Sequence, residues 1–226
     1  MKMPKHIAFI MDGNGRWGVK KYNNRIKGHE FGVKNILKIV KFFLNKKIKN
    51  LSLYALSYDN LRKRNRHEIK NLFFLFEKYL NQNIGYFVNN RIKLSFVGEK
   101  EGLSKKINLL FQKYEDITKF KKPNLLLNIF INYSSRLEIL KTMQIMKKKN
   151  IKINVNNFDQ NHYLRDSKDP CLIIRTGSYS RLSDFLLWQS SYSELFFLKK
   201  LWPDFNLRDL EKIIKKFNLT KRNFGK

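Results

Sequence analysis

Short apolar runs alternate along this chain with longer stretches whose apolar positions recur at helical spacing. The runs Ile7–Met11, Leu51–Leu56, Ile92–Val97, Leu125–Ile131, Leu172–Ile174 and Glu194–Phe197 have the length and the branched and aromatic content of buried strands. Among them, Phe31–Asn45, Glu68–Phe87, Ser104–Phe120, Arg136–Lys149 and Leu207–Phe217 read as helices with one buried face. Ser104 and Asn206 stand where helix N-caps are expected. Strand–helix alternation builds a largely parallel sheet covered on both faces. The expected fold is α/β: a single domain over residues 1–226, with a mostly parallel, about six-stranded sheet flanked by helices. Ile151–Lys168, polar and rich in asparagine, reads as a connector within that domain.

Ligands of such sheets collect beyond the carboxyl ends of the strands. Polar clusters stand there: Asp12-Gly13-Asn14-Gly15-Arg16-Trp17 after the first run, Ser57-Tyr58-Asp59-Asn60 after the second, Arg175-Thr176-Gly177 after the fifth. Glu194 opens the sixth. Gly13, Gly15 and Gly18 spell a dinucleotide fingerprint, but the acidic residue expected ~20 positions on, at the end of the second strand, is missing. That strand ends near Ser57. Val19 stands where the lysine of a Walker A loop would be, and Asn14 where a two-aspartate phosphatase needs its second carboxylate. Alone, Asp12 would be a turn residue. With Arg16, Arg25 and His29 nearby it becomes a carboxylate among phosphate-binding cations, which repels a diphosphate unless a divalent ion bridges the two.

Composition adds a charge to explain. Lys+Arg 47 against Asp+Glu 18 gives +29, which ordinarily points to nucleic acid or an anionic membrane. Lysine is spread over nearly every segment together with asparagine, isoleucine and phenylalanine, all residues of A/T-rich codons. A nucleic-acid-binding protein would explain the charge but not Asp12, Glu194 or the clustering at strand ends, and no recognised nucleic-acid module appears. Cys171 is the single cysteine, so no internal disulfide forms and a reducing compartment fits. Met1-Lys2-Met3-Pro4-Lys5 has no apolar signal region, and no apolar run reaches the ~18 residues of a membrane span. The expectation is a soluble cytoplasmic protein.

The stretch His6–Trp17, followed by Arg25 and Gly28-His29, resembles the entry motif of the cis-prenyltransferases, the undecaprenyl diphosphate synthases in particular. Leu53–Leu61 resembles a second block of that family, with Leu61 replacing a tryptophan. The family then has an arginine-proline pair. Lys63 takes the arginine's place without a gap, Arg64 with one inserted residue. Asn128–Tyr133 resembles a third block, with Phe130 and Ile131 replacing small residues. Arg175-Thr176-Gly177 with Arg181–Gln189 resembles a fourth, in which Ser178, Tyr179 and Ser180 replace glycine, glutamate and histidine. Tyr192–Phe197 and Leu201–Phe205 complete the match.

The resemblance implies the cis-prenyltransferase fold, a homodimer, and an apolar groove lined by residues including Leu72, Phe73, Phe76, Leu80, Leu125 and Leu127. It implies repeated condensation of isopentenyl diphosphate onto an allylic diphosphate such as farnesyl diphosphate, with Mg²⁺, yielding in bacteria the undecaprenyl carrier lipid for cell-wall synthesis. Gly13, Asn14, Gly15, Arg16, Trp17, Arg25 and His29 would serve the allylic substrate. Ser57, Tyr58, Asp59, Leu61 and either Lys63 or Arg64 would bind from the second block; Arg175, Arg181 and Ser183 would clamp isopentenyl diphosphate, with Leu182 among the substrate-binding residues. Asp12 and Glu194 would hold the metal. Asp12 and Asn60 would be the catalytic pair; a neutral amide is a poor base, so Asn60 reads as a positioning group. The implied partners are the two diphosphates, a second subunit and, for product release, transiently the inner membrane face; nucleic acid is not expected.

Overall fold

A parallel strand buried on both faces needs apolar residues at nearly every position. β1 (His6–Ile10) and β4 (Leu125–Tyr133) are buried throughout, as are the four residues of β5 (Leu172–Arg175). With β2 (Asn50–Ser57), β3 (Ile92–Val97) and β6 (Glu194–Phe197) they form one six-stranded sheet in the order β3-β4-β2-β1-β5-β6. Every pairing is parallel, so all carboxyl ends lie along one rim. The computed structural model describes residues 3–220; Met1, Lys2 and 221–226 of the expected domain lie outside the described residues.

Eight helices cover the described sheet: α1 (Asn14–Tyr22), α2 (Arg25–Asn45), α3 (Tyr58–Lys63), α4 (Arg66–Asn89), α5 (Lys105–Ile117), α6 (Ser135–Lys148), α7 (Val155–Asn161) and α8 (Leu207–Leu219). Ser104 and Asn206 cap α5 and α8 as expected, the latter in a reciprocal capping box. Three helices escaped the apolar pattern. α1 contains two glycines and four polar or charged residues, α3 has no buried residue, and α7 lies inside the asparagine-rich connector. α2 begins at Arg25 instead of Phe31 because Asn24 caps it, accepting from the Ile26 N–H at 2.9 Å.

One face of the sheet packs Ile7, Phe9, Leu51, Leu53 and Ile129 against α2, α4, α5 and α8. The other packs Ala8, Ile10, Tyr54, Phe130 and Ile173 against Leu164, Phe185 and Leu186. Phe130 therefore belongs to the face opposite the α2–α4 layer. On that second face the buried Glu138 accepts from Tyr133 Oη, the Tyr163 N–H and Gln189 Nε2 at 2.5, 2.9 and 3.0 Å, so its charge is well hydrogen-bonded. α4 is different. Of its 24 residues only Tyr79, Leu80 and Phe87 are buried, all in the second half. Its first half roofs a cavity, with Ile69, Leu72, Phe73 and Phe76 only half-buried against the core.

Candidate active site

The rim of carboxyl ends carries the polar cluster. Asp12 follows β1, and its two carboxylate oxygens are held from two directions: Arg16 Nη2 donates to Oδ1 at 3.1 Å and Arg175 Nη2 to Oδ2 at 2.9 Å. Arg16 is half-exposed, whereas Arg175 is 4% exposed. Arg175 also donates to Ser183 Oγ at 2.7 Å and to the Arg181 carbonyl at 2.5 Å; Arg16 donates to the Gly177 carbonyl at 2.7 Å. The Asp12 carbonyl accepts from Thr176 Oγ1 and the Trp202 N–H, which fixes the backbone beneath the carboxylate.

A second cationic group lies one helix away. Glu68, in the first turn of α4, accepts from Arg64 at 3.2 Å and lies 3.6 Å from Arg25 and 3.8 Å from His29 Nε2. Burial, reinforced by Arg64, lowers the His29 pKa to about 4, so the imidazole is neutral at pH 7. Burial also lowers the Arg64 pKa, and the Glu68 carboxylate opposes that shift.

Three cavities meet here. A small cationic one is lined by Asp12, Gly13, Asn14, Gly15, Arg16, Arg25, His29 and Arg64. A wide cleft of about 840 Å³ is lined by Asp12, Ser57, Tyr58, Asp59, Asn60, Arg64, Arg175, Arg181 and Ser183. An apolar cavity of about 80 Å³ runs inward between α2, α4 and the sheet, past His29, Leu53, Leu72, Phe73, Phe76, Ile129 and Ile131. Ala55 borders all three. It sits at an irregularity where β2 skips a residue against β4, and such a bulge re-aims the chain next to a site.

The loop after β5 holds its residues in unusual backbone conformations. Ser183 and Asp184 have φ of 53° and 61°, in the left-handed region. Asp184 pins them by accepting from Ser134 Oγ at 2.5 Å and the Arg136 N–H at 3.1 Å, at the amino end of α6.

The comparisons with known proteins agree with this architecture. The Prenyltransf family model, described as "Putative undecaprenyl diphosphate synthase", matches residues 10–225. The chain belongs to this family. It is 41% identical to the isoprenyl transferase of Thermotoga maritima, covering 100% of this chain and 98% of that one. It is 40% identical to a ditrans,polycis-undecaprenyl-diphosphate synthase of Wigglesworthia glossinidia brevipalpis, described as farnesyl-diphosphate specific, over 99% of this chain and 88% of that one. The crystal structure of a "probable undecaprenyl diphosphate synthase" from Campylobacter jejuni superposes with a TM-score of 0.85 at 34% identity, with full coverage of both chains. Lavandulyl diphosphate synthase from Lavandula x intermedia, solved with dimethylallyl diphosphate, superposes with a TM-score of 0.91 at 27% identity, over 99% and 98% of the two chains.

Within this prenyltransferase fold, not every anticipated residue reaches the rim. Gly13, Asn14, Gly15, Arg16, Arg25, His29, Ser57, Tyr58, Asp59, Asn60, Arg175, Arg181 and Ser183 line the cavities. Arg64 lines both polar cavities, whereas Lys63 points to solvent and pairs with Asp59. Trp17 lines none of the three: it packs on Tyr22 and Phe31 and donates to Asp204 at 2.7 Å. Leu61 and Leu182 pack against the two cores. Leu72, Phe73 and Phe76 line the apolar cavity, but Leu80, Leu125 and Leu127 are core residues outside it. Glu194 starts β6 opposite Leu172, three positions before Phe197, which pairs with Arg175. At strand rise that is roughly 10 Å from the rim, so one chain does not bring Glu194 to Asp12. Sequence reasoning passed over Glu68, Tyr54, Ser134, Arg136, Asp184 and Tyr179. Tyr54, Tyr179 and Asp184 carried a signal, as members of the matched blocks, whereas Glu68, Ser134 and Arg136 lie outside them.

For a divalent cation, the described residues offer no group of three or more His, Cys, Asp or Glu side chains. Mg²⁺ is commonly held by one or two carboxylates and the substrate's own phosphates instead of a protein cage. Asp12, on the shared border of both polar cavities, fits that mode.

Proposed function

We propose that this protein is a Mg²⁺-dependent cis-prenyltransferase that condenses isopentenyl diphosphate repeatedly onto farnesyl diphosphate, giving the undecaprenyl carrier for cell-wall synthesis. One observation carries this reading: two cationic cavities share Asp12 and Arg64, and one of them opens past His29 into an apolar cavity. Two diphosphates and one hydrocarbon tail match that layout.

In the reaction, the allylic carbon–oxygen bond breaks and its electrons leave with diphosphate. The double bond of isopentenyl diphosphate forms the new carbon–carbon bond, and a proton leaves carbon two. Arg16, Arg25 and Arg64, held by Asp12 and Glu68, would meet the charge that grows on the departing diphosphate. Arg175, Arg181 and Ser183 would orient the second diphosphate so that its double bond faces the allylic carbon. Asp12 would hold Mg²⁺, whose charge would further neutralise the leaving group. Asn60, in the first turn of α3, would position substrate or released diphosphate. Neutral His29, between cradle and apolar cavity, would pass the tail without a charge beside it.

Two assembly features belong to the same proposal. β6 is an edge strand with Leu195 and Phe197 exposed at 41% and 37%, which supports a homodimer across that edge. No described helix is long and apolar enough to cross a membrane. The +29 charge supports transient attraction of a cytoplasmic protein to the anionic inner membrane face. The decisive experiment incubates purified protein with farnesyl diphosphate, labelled isopentenyl diphosphate and Mg²⁺, then sizes the lipids. Long polyprenyl diphosphates are expected; absence of any elongated product overturns the proposal.

A further inference from the structure

Three guanidiniums converge on one aromatic ring. The ζ carbon of Arg181 lies 4.2 Å from the Tyr179 ring centroid, that of Arg16 5.0 Å and that of Arg175 5.7 Å. All fall within the ~6 Å over which a cation is attracted to the face of a ring. Asp12 pairs with Arg16 and Arg175; Arg181 makes no ion pair among the described residues. The arginines therefore repel one another with a single carboxylate between two of them. They also serve different places: Arg16 lines the small cationic cavity, Arg175 and Arg181 the wide cleft.

The backbone is built to present this ring. Gly177 and Ser178 have φ of 92° and 74°, two successive left-handed residues whose N–H groups donate to the Lys200 and Leu198 carbonyls beyond β6. A β-carbon on Gly177 would fall 2.7 Å from Arg16 Nη2 and 2.9 Å from Asp12 Cγ, so only glycine leaves room for the cluster. Ser178, which has no glycine's freedom, is held by its N–H on the Leu198 carbonyl at 2.9 Å and its Oγ on the Lys199 carbonyl at 3.1 Å.

We propose that Tyr179 is a positioning residue whose ring gathers Arg16, Arg175 and Arg181 into one preformed anion-binding set spanning both diphosphate subsites. This rests on the diphosphate chemistry proposed above. A neutral ring lowers the mutual repulsion while leaving all three charges for the ligands. A carboxylate here, as the family resemblance suggests for this position, would neutralise one of them.

The test replaces Tyr179 with phenylalanine, with mono-, di- and trifluorinated phenylalanines, and with leucine. Fluorine drains the ring's negative face with little change of shape. The readouts are KM for each diphosphate against kcat, binding of inorganic diphosphate by calorimetry, and the melting temperature. Tyr179→Phe should stay within about twofold of wild type, since the hydroxyl has no part. Both KM values and the diphosphate Kd should climb stepwise with fluorine count, reaching roughly 3- to 10-fold for the trifluoro and leucine variants. The melting temperature should hold. A fluorine series indistinguishable from phenylalanine overturns the inference, and so does wild-type protein that fails to bind diphosphate. Wild-type protein that binds diphosphate without elongating prenyl chains defeats the proposed function instead, and the calorimetric series still decides the role of Tyr179.

Discussion

Asp12 meets Arg16 and Arg175 through separate oxygens, so its removal strands two cations, one of them buried. Asp12→Asn should leave the fold intact by circular dichroism and lower elongation by about 10²–10³, the scale of losing one fixed electrostatic contact to a developing charge. Unchanged turnover would take Asp12 out of the mechanism. Glu68 poses the opposite case, because its carboxylate pairs with Arg25 and Arg64, cations that the proposed function gives to a diphosphate. Glu68→Gln should cost roughly 1–2 kcal/mol of stability in urea, since Arg64 loses its partner. It should also tighten inorganic diphosphate binding several-fold, as a competing negative charge has gone. At this scale the sequence told residue type better than direction. Asp12, Arg16 and Arg175 were legible because their spacing after strands fixes where they emerge. Trp17 was not, because one turn of α1 carries its ring from the rim onto Tyr22 and Phe31. The choice between Lys63 and Arg64 needed the end of α3, where Arg64 turns extended and its neighbour stays on the solvent side.

Elements with one wide apolar stripe announced themselves, and those serving the site did not. α1 is short and polar, and it holds because glycines let it cross α2 at backbone distance: a β-carbon on Gly28 would meet the Asn14 carbonyl oxygen at 1.8 Å. No flexible side chain can yield there. Gly28→Ala should therefore destabilise by about 2–3 kcal/mol in urea unfolding and weaken allylic diphosphate binding, by displacing Asn14 and Arg16. Ala55 is another small residue at the site, where β2 loses register and all three cavities meet. Ala55→Leu should obstruct that junction, shortening the products resolved by chromatography while leaving diphosphate binding within about twofold. Products of unchanged length would mean that the tail takes another route. Ile131 lines the apolar cavity, whereas Phe130, its neighbour on the opposite face, packs edge-to-face on Phe185. Two adjacent substitutions that looked alike in the sequence thus have separate consequences, as strand alternation requires.

Across the whole molecule, strand count, parallel pairing and the shared rim followed from alternation alone, whereas strand order needed long-range packing that no local pattern records. The same global burial sets a pH dependence. His6 is buried, donating through Nδ1 to the Lys168 carbonyl at 2.5 Å and accepting at Nε2 from Ser52 Oγ at 2.8 Å, a tautomer assigned from these partners. Burial lowers its pKa to about 4, as it does for His29. Both side chains take up protons more readily when unfolded. Stability is therefore full above about pH 6.5 and falls as the pH drops toward 4, by roughly 2 kcal/mol per histidine at pH 5. Urea titrations at several pH values should show it, with proton uptake on unfolding in that interval; a flat profile would contradict the burial.

The half-buried first half of α4 leaves a cavity between its apolar face and the sheet. A void of about 80 Å³ accommodates little hydrocarbon, so under the proposed function a growing tail would push that roof outward and pack against its apolar face. The lipid becomes a temporary part of the protein's own hydrophobic centre. Amide hydrogens over residues 66–78 should exchange quickly in the empty enzyme and slow as each isoprene unit is added, which makes deuterium uptake along a single helix a gauge of how far synthesis has gone.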